Sequence, residues 1–284
     1  MNKALPILAF IVLATGLSFA EFSITSLSVD FKVNPDGTAN AMETADILIS
    51  GNPDIFNYTD HLGNNDIGSW VGFLGTSLLS IHVDRTNAKV SDIQVRPQPL
   101  RNLNPVQERA NGRIIITYNV GPYYDEQTGA VNNGTGLFIV RNAMPRSSTM
   151  DLNEKALSFV RSSAGDIMLD DRTTLTFTFP EGTMITDLNP LPADIKDIGS
   201  SIFPMQRTEV SWTGMILPHL VISAESKTTM VDEINSYFDA KLKSLQSFVS
   251  TDQGKIMLGM LLFIVGFIIY LGTKAPSSKK GDAQ

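Results

Sequence analysis

Leu27-Ser28-Val29-Asp30-Phe31-Lys32-Val33 alternates apolar and polar side chains. Asn34-Pro35-Asp36-Gly37 interrupts it before a second run, Thr38 to Ser50, which ends on Ile47-Leu48-Ile49. A period of two puts alternate side chains on one face, so the first run reads as a half-buried strand. Pro35 and Gly37 supply turn chemistry, Gly37 being free to take positive φ. A hairpin is predicted. The pattern recurs outward along the chain at Leu79-Ser80-Ile81-His82-Val83, Ile93-Gln94-Val95 and, behind the turn pair Asn111-Gly112, from Ile114 to Val120. Leu137 to Val140, Leu175 to Phe179, Val210 to Trp212 and Leu220 to Ile222 extend the series. Many short strands with turns between them predict antiparallel sheets packed as a β-sandwich. A mainly β ectodomain is expected over residues 21–225, as one or two domains with a seam at 145–171. Leu152, Ala156, Phe159 and Val160 predict a short amphipathic helix in that seam, and Asp187 to Pro204 reads as a long proline-bearing loop.

Both ends of the chain are apolar. Residues 1–20 combine Lys3, an apolar run from Ile7 to Leu17, and the small residues Ser18 and Ala20, the pattern of a signal peptide. Ile256 to Leu271, between Lys255 and Lys274, is apolar apart from small residues. A transmembrane helix is expected over 255–273, with a lysine-bearing cytoplasmic tail at 274–284. Val231, Ile234, Phe238, Leu242, Leu245 and Val249 recur at helical spacing, which predicts an amphipathic stalk over 226–254. Its stripe, residues 228–252, is expected to pack on its own domain, to self-associate or to lie on the bilayer. The expected order is an antiparallel β-sandwich ectodomain, a juxtamembrane helix and one C-terminal transmembrane helix. That is a single-pass type I protein of the cell membrane, held to the lipid bilayer through residues 255–273.

The formal charge of −7 argues against nucleic acid as a partner. The chain has no cysteine, which excludes thiol nucleophiles, thiolate metal sites and disulfides together. Asn57-Tyr58-Thr59 and Asn133-Gly134-Thr135 are acceptor patterns for glycosylation at Asn57 and Asn133.

The opening from Ile24 through Gly37 to Glu43, and the later Phe177-Thr178-Phe179-Pro180-Glu181-Gly182, carry a resemblance. They resemble uncharacterised prokaryotic membrane-anchored surface proteins with an exported β-domain. The resemblance spans about a tenth of the chain. It implies a surface location and transfers no functional residue.

Chemistry-bearing residues are scattered. His61, His82 and His219 are the candidate neutral-pH bases, with no metal-binding pair, nucleophile elbow or phosphate loop around them. His82, between Ile81 and Val83, is expected to face away from the side those two bury. No catalysis is assigned and no cofactor is expected; a serine or carboxylate within reach of one of these histidines would favour an exported hydrolase. Asp151, Asp166, Asp170 and Asp171 could supply oxygen ligands to calcium, but lack the alternating spacing of a calcium loop. Pro122-Tyr123-Tyr124-Asp125-Glu126 sets two aromatics beside two acids, a combination suited to glycan contact. Ile67 to Leu79 is apolar and glycine-spaced, and is expected either to be buried or to dock a partner. Trp70, Phe73, Leu74, Tyr123 and Tyr124 are the candidate contact residues. The expected role is a structural or interaction protein of an envelope assembly, its partner an envelope protein or glycan. A glycan- or calcium-binding receptor module is the alternative.

Overall fold

A computed structural model describes residues 21–75, 79–124, 132, 134–144, 147–195 and 203–227. The strands are β1 (Glu21–Val33), β2 (Ala39–Ser50), β3 (Lys89–Asn104), β4 (Arg109–Gly121), β5 (Phe138–Met144) and β6 (Ser147–Leu152). They continue as β7 (Ile167–Met168), β8 (Thr173–Thr178), β9 (Met184–Asn189), β10 (Met205–Gln206), β11 (Glu209–Thr213), β12 (Ile216–Leu217) and β13 (Val221–Lys227). One six-stranded sheet runs β11-β8-β1-β2-β4-β3, a five-stranded sheet β10-β9-β13-β6-β5, and β12 pairs with β7. The predicted hairpin is β1–β2, with Gly37 at φ 80° in the turn. Ala39, Ala41, Glu43, Ala45, Ile47 and Ile49 all point to the buried face of β2.

Both larger sheets feed one hydrophobic core. Phe177 of β8 stacks on Phe31 of β1 at 5.3 Å between centroids, and Phe138 of β5 meets Phe177 edge-on at 5.9 Å. Trp212 on β11 packs edge-on against Phe177, and its indole N–H donates to the Pro190 carbonyl at 2.9 Å. Such offset and edge-on contacts are the favoured geometries for aromatic rings in a core.

The expected architecture is corrected in four places. The sheets are not wholly antiparallel, because β1 and β8 pair in parallel from Leu27↔Thr173 to Lys32↔Thr178. Two short helices stand where none was expected. The first, Asn52–His61, begins behind Gly51 with Pro53 in its opening turn. The second, Ile67–Leu74, is capped by Asp66, whose carboxylate accepts the Ser69 amide at 2.7 Å. Leu79–Val83 is not a strand, since only Val83 bridges to Leu157. The seam holds β6 and a three-residue 3₁₀ turn, Glu154–Ala156, in place of an amphipathic helix.

The membrane architecture is the largest correction. Among the described residues no helix is long and apolar enough to cross a membrane. The two α-helices there have ten and eight residues. At 1.5 Å per residue each is at most about half the hydrocarbon thickness of a bilayer. Ser226 and Lys227, assigned to the stalk, close β13 instead. The signal peptide 1–20, the stripe 228–252, the membrane segment 255–273 and the tail 274–284 lie outside the described residues. The described fold thus supplies no spanning element for the expected single-pass membrane location, bilayer partner or membrane-anchored envelope role.

Candidate functional site

Glu43 occupies an inward position of β2 and is 2 % exposed, flanked on the same face by Ala41 and Ala45. A buried carboxylate is costly unless its oxygens are hydrogen-bonded. Three donors surround this one. The backbone N–H of His82 donates to Oε1 at 2.8 Å, the phenol of Tyr118 on β4 donates to the same oxygen, and His82 Nδ1 lies 2.8 Å from Oε2. Burial, then the charge and hydrogen bond of Glu43, push the Tyr118 hydroxyl far above its usual range, so it stays a neutral donor. A carboxylate only accepts, which places a proton on Nδ1; in the neutral imidazole Nε2 then keeps its lone pair.

The rest of His82 is fixed from the other side. Its carbonyl accepts the Ser158 amide at 2.9 Å, and its ring packs on Phe159 with centroids 4.7 Å apart. The imidazole is 15 % exposed and lines a recess of about 310 Å³. Leu27, Phe159, Val160, Met168 and Ile216 give the recess its apolar wall. Val160, Met168 and Ile216 are 70 %, 39 % and 55 % exposed, so three of the domain's exposed large apolar side chains gather at one place. Met168 and Ile216 are cross-strand partners in β7–β12. Asp170 and Thr173 add polar groups to the wall: the Thr173 hydroxyl and the Arg172 amide both donate to Asp170 Oδ1, at 2.9 and 2.8 Å. Glu43 is a carboxylate within reach of His82, the feature expected to favour an exported hydrolase; among the described residues no hydroxyl hydrogen-bonds to the ring to complete such a pair.

The other candidate residues fall elsewhere. Trp70 is fully buried with its indole N–H on the Asn64 carbonyl at 2.7 Å, and Leu74 is buried beside it. Phe73 is half-buried, stacked on His61 at 4.4 Å and edge-on to Phe22. Of the run Ile67 to Leu79, the described part is thus mostly turned into the core. Tyr123 is tied by its hydroxyl to the Arg85 carbonyl, while Tyr124 is half exposed at a hollow of about 360 Å³ with Asn34, Lys89 and Asn119. Asp125 and Glu126, the acids expected beside them, lie outside the described residues, as does Asn133. Asn57 is exposed on the first helix. His219 is exposed at φ 47°. Among the described residues no three metal-ligating side chains are gathered, and Asp151 is instead spent on Ser223 at 2.8 Å.

A larger hollow, about 640 Å³, lies over the outer face of the six-stranded sheet. There the register aligns Ser211, Thr176, Asp30, Met42, Thr117 and Gln94 in one transverse row. Hydroxyls, amides and acids on a sheet face are what water solvates, and no aromatic ring rises from that row. The recess at His82 differs in combining exposed apolar surface with a positioned polar atom, the combination that marks ligand sites. Glu43 was overlooked in the sequence, although an acid at the apolar parity of an alternating strand was the available signal. Comparison with protein-family models and with curated proteins finds no match.

Proposed function

We propose that this β-domain is a binding module for a small amphipathic molecule held in the recess beside His82. One observation carries the reading: Val160, Met168 and Ile216, all exposed, converge on an imidazole whose other nitrogen is locked by a buried carboxylate. Each apolar contact buried by a ligand gains about 25 cal/mol per Å². Glu43 and Tyr118 hold the ring still before binding, so little ordering cost remains for the complex. The recess volume sits at the lower end of the range for small-molecule pockets, roughly 300–1,000 Å³.

The test is a titration of the full-length chain with octan-1-ol, followed through the methyl resonances of Val160, Met168 and Ile216. Saturable shifts confined to these residues are expected, with Ile216→Asp weakening binding about tenfold. Ile216 is 55 % exposed, so that substitution leaves the core intact. Shifts that never saturate, or that spread evenly over the surface, sink the reading.

A further inference from the structure

The polar groups of the recess also specify the ligand's head. In the neutral imidazole, with Nδ1 donating to Glu43, His82 Nε2 is an acceptor. Asp170 is exposed, and its Oδ1 is taken by the Arg172 amide and the Thr173 hydroxyl. Among the described residues its Oδ2 has no hydrogen-bond partner. The nearest cation in sequence, Arg172, donates its Nη1 to the Ile24 carbonyl at 2.7 Å and so has a backbone partner of its own. Glu43 adds a buried carboxyl group behind the imidazole. The recess therefore offers two acceptors, one of them anionic, on an apolar wall. A carboxylate or phosphate head would meet Asp170 as a like charge, whereas an ammonium donates up to three hydrogen bonds and carries the complementary charge.

Building on the binding reading, we infer that the occupant is a small amine: an ammonium head set between His82 Nε2 and Asp170, with an apolar body against Phe159, Met168 and Ile216. The same head could top an unbranched chain or the α-amine of an apolar dipeptide, and both chemistries enter the test.

The experiment titrates the full-length chain at mildly alkaline pH with octylamine, leucyl-leucinamide, octan-1-ol and octanoate. One of the two amines is expected to bind about tenfold more tightly than octan-1-ol, and octanoate more weakly than either. The tighter amine identifies the body. Asp170→Asn, which keeps the Oδ1 acceptor for Arg172 and Thr173, is expected to erase the amine's advantage over octan-1-ol. Equal binding of amine and alcohol to the unaltered chain overturns this inference and leaves the binding reading standing, as does an amine preference that survives in Asp170→Asn. Failure of every probe to bind overturns both.

Discussion

Glu43 Oε2 lies 2.8 Å from His82 Nδ1, while the backbone N–H of the same histidine donates to Oε1 at the same distance. One side chain from β2 thus holds both the main chain and the ring of a residue 39 positions on. The bond fixes the loop that forms the recess as well as the proton that defines its chemistry.

Removing that carboxylate strands its donors. Glu43→Ala is expected to destabilise the fold by about 3–5 kcal/mol, because His82 and Tyr118 lose their acceptor in a buried setting. Glu43→Gln, which keeps one acceptor oxygen, costs less. Tyr118→Phe removes one donor and costs about 1–2 kcal/mol. Chemical denaturation of the three variants checks the order; a Glu43→Ala chain as stable as the parent contradicts it.

The first helix is seated by Tyr58, whose ring covers Gly112 on β4. A Cβ added at Gly112 would lie 2.8 Å from that ring. Tyr58 is fully buried, and its hydroxyl sits 3.0 Å from the Gln98 carbonyl while accepting the Arg113 amide at 3.2 Å. Gly112→Ala is expected to cost about 1–3 kcal/mol through displacement of that ring. Thermal unfolding measures it, and an unchanged midpoint means the helix is seated otherwise.

The same tyrosine gives an alkaline signature. Burial pushes the Tyr58 hydroxyl from 10.0 up to about 12. A raised pKa in the folded state means the neutral form is favoured. The contribution is therefore complete below the unfolded value and is lost as pH rises through the folded one. Stability should fall by about 2–3 kcal/mol across that window from this group, with Tyr118 acting in the same direction. Urea unfolding at a series of alkaline pH values measures the slope, which must flatten in Tyr58→Phe.

On the acid side, hydrogen bonds from Arg113 at 2.6 and 2.9 Å hold the Asp46 carboxyl below its usual range. Its contribution is present above the unfolded pKa and disappears as pH falls through the lower, folded one. Both side chains are partly exposed, so the loss is small, about 0.5 kcal/mol. Asp46→Asn is expected to remove it, which acid titration of the unfolding midpoint at low salt resolves.

The second helix depends on its cap. Asp66→Ala removes the acceptor of the Ser69 amide and should cost about 1 kcal/mol. Loss of the buried Trp70 environment at lower denaturant than the rest of the fold is the expected fluorescence result.

Strand positions were legible because burial on one face writes itself as alternation: Val29, Phe31 and Val33 in β1, or Ile114, Ile116 and Tyr118 in β4. Pairing was not. Residues 27–32 pair in parallel with 173–178, and nothing local in either run encodes a partner so distant. Leu79, Ile81 and Val83 alternate as a strand would, yet the His82 amide is taken by the Glu43 side chain and its carbonyl by Ser158, leaving no ladder. The second helix was readable in hindsight, since Asp66 caps it and Ile67, Trp70, Val71 and Leu74 follow a helical period; its glycines masked that period. The recess was illegible because Leu27, His82, Phe159 and Ile216 meet only through the tertiary fold.

The most direct measurement is the long-range proton–nitrogen correlation spectrum of the His82 imidazole in the full-length chain, before and after addition of octylamine. The expected spectrum shows a proton on Nδ1, a bare Nε2, and a saturable change at Nε2 when the amine binds. A proton on Nε2, or an imidazole whose two nitrogens ignore the ligand, contradicts it.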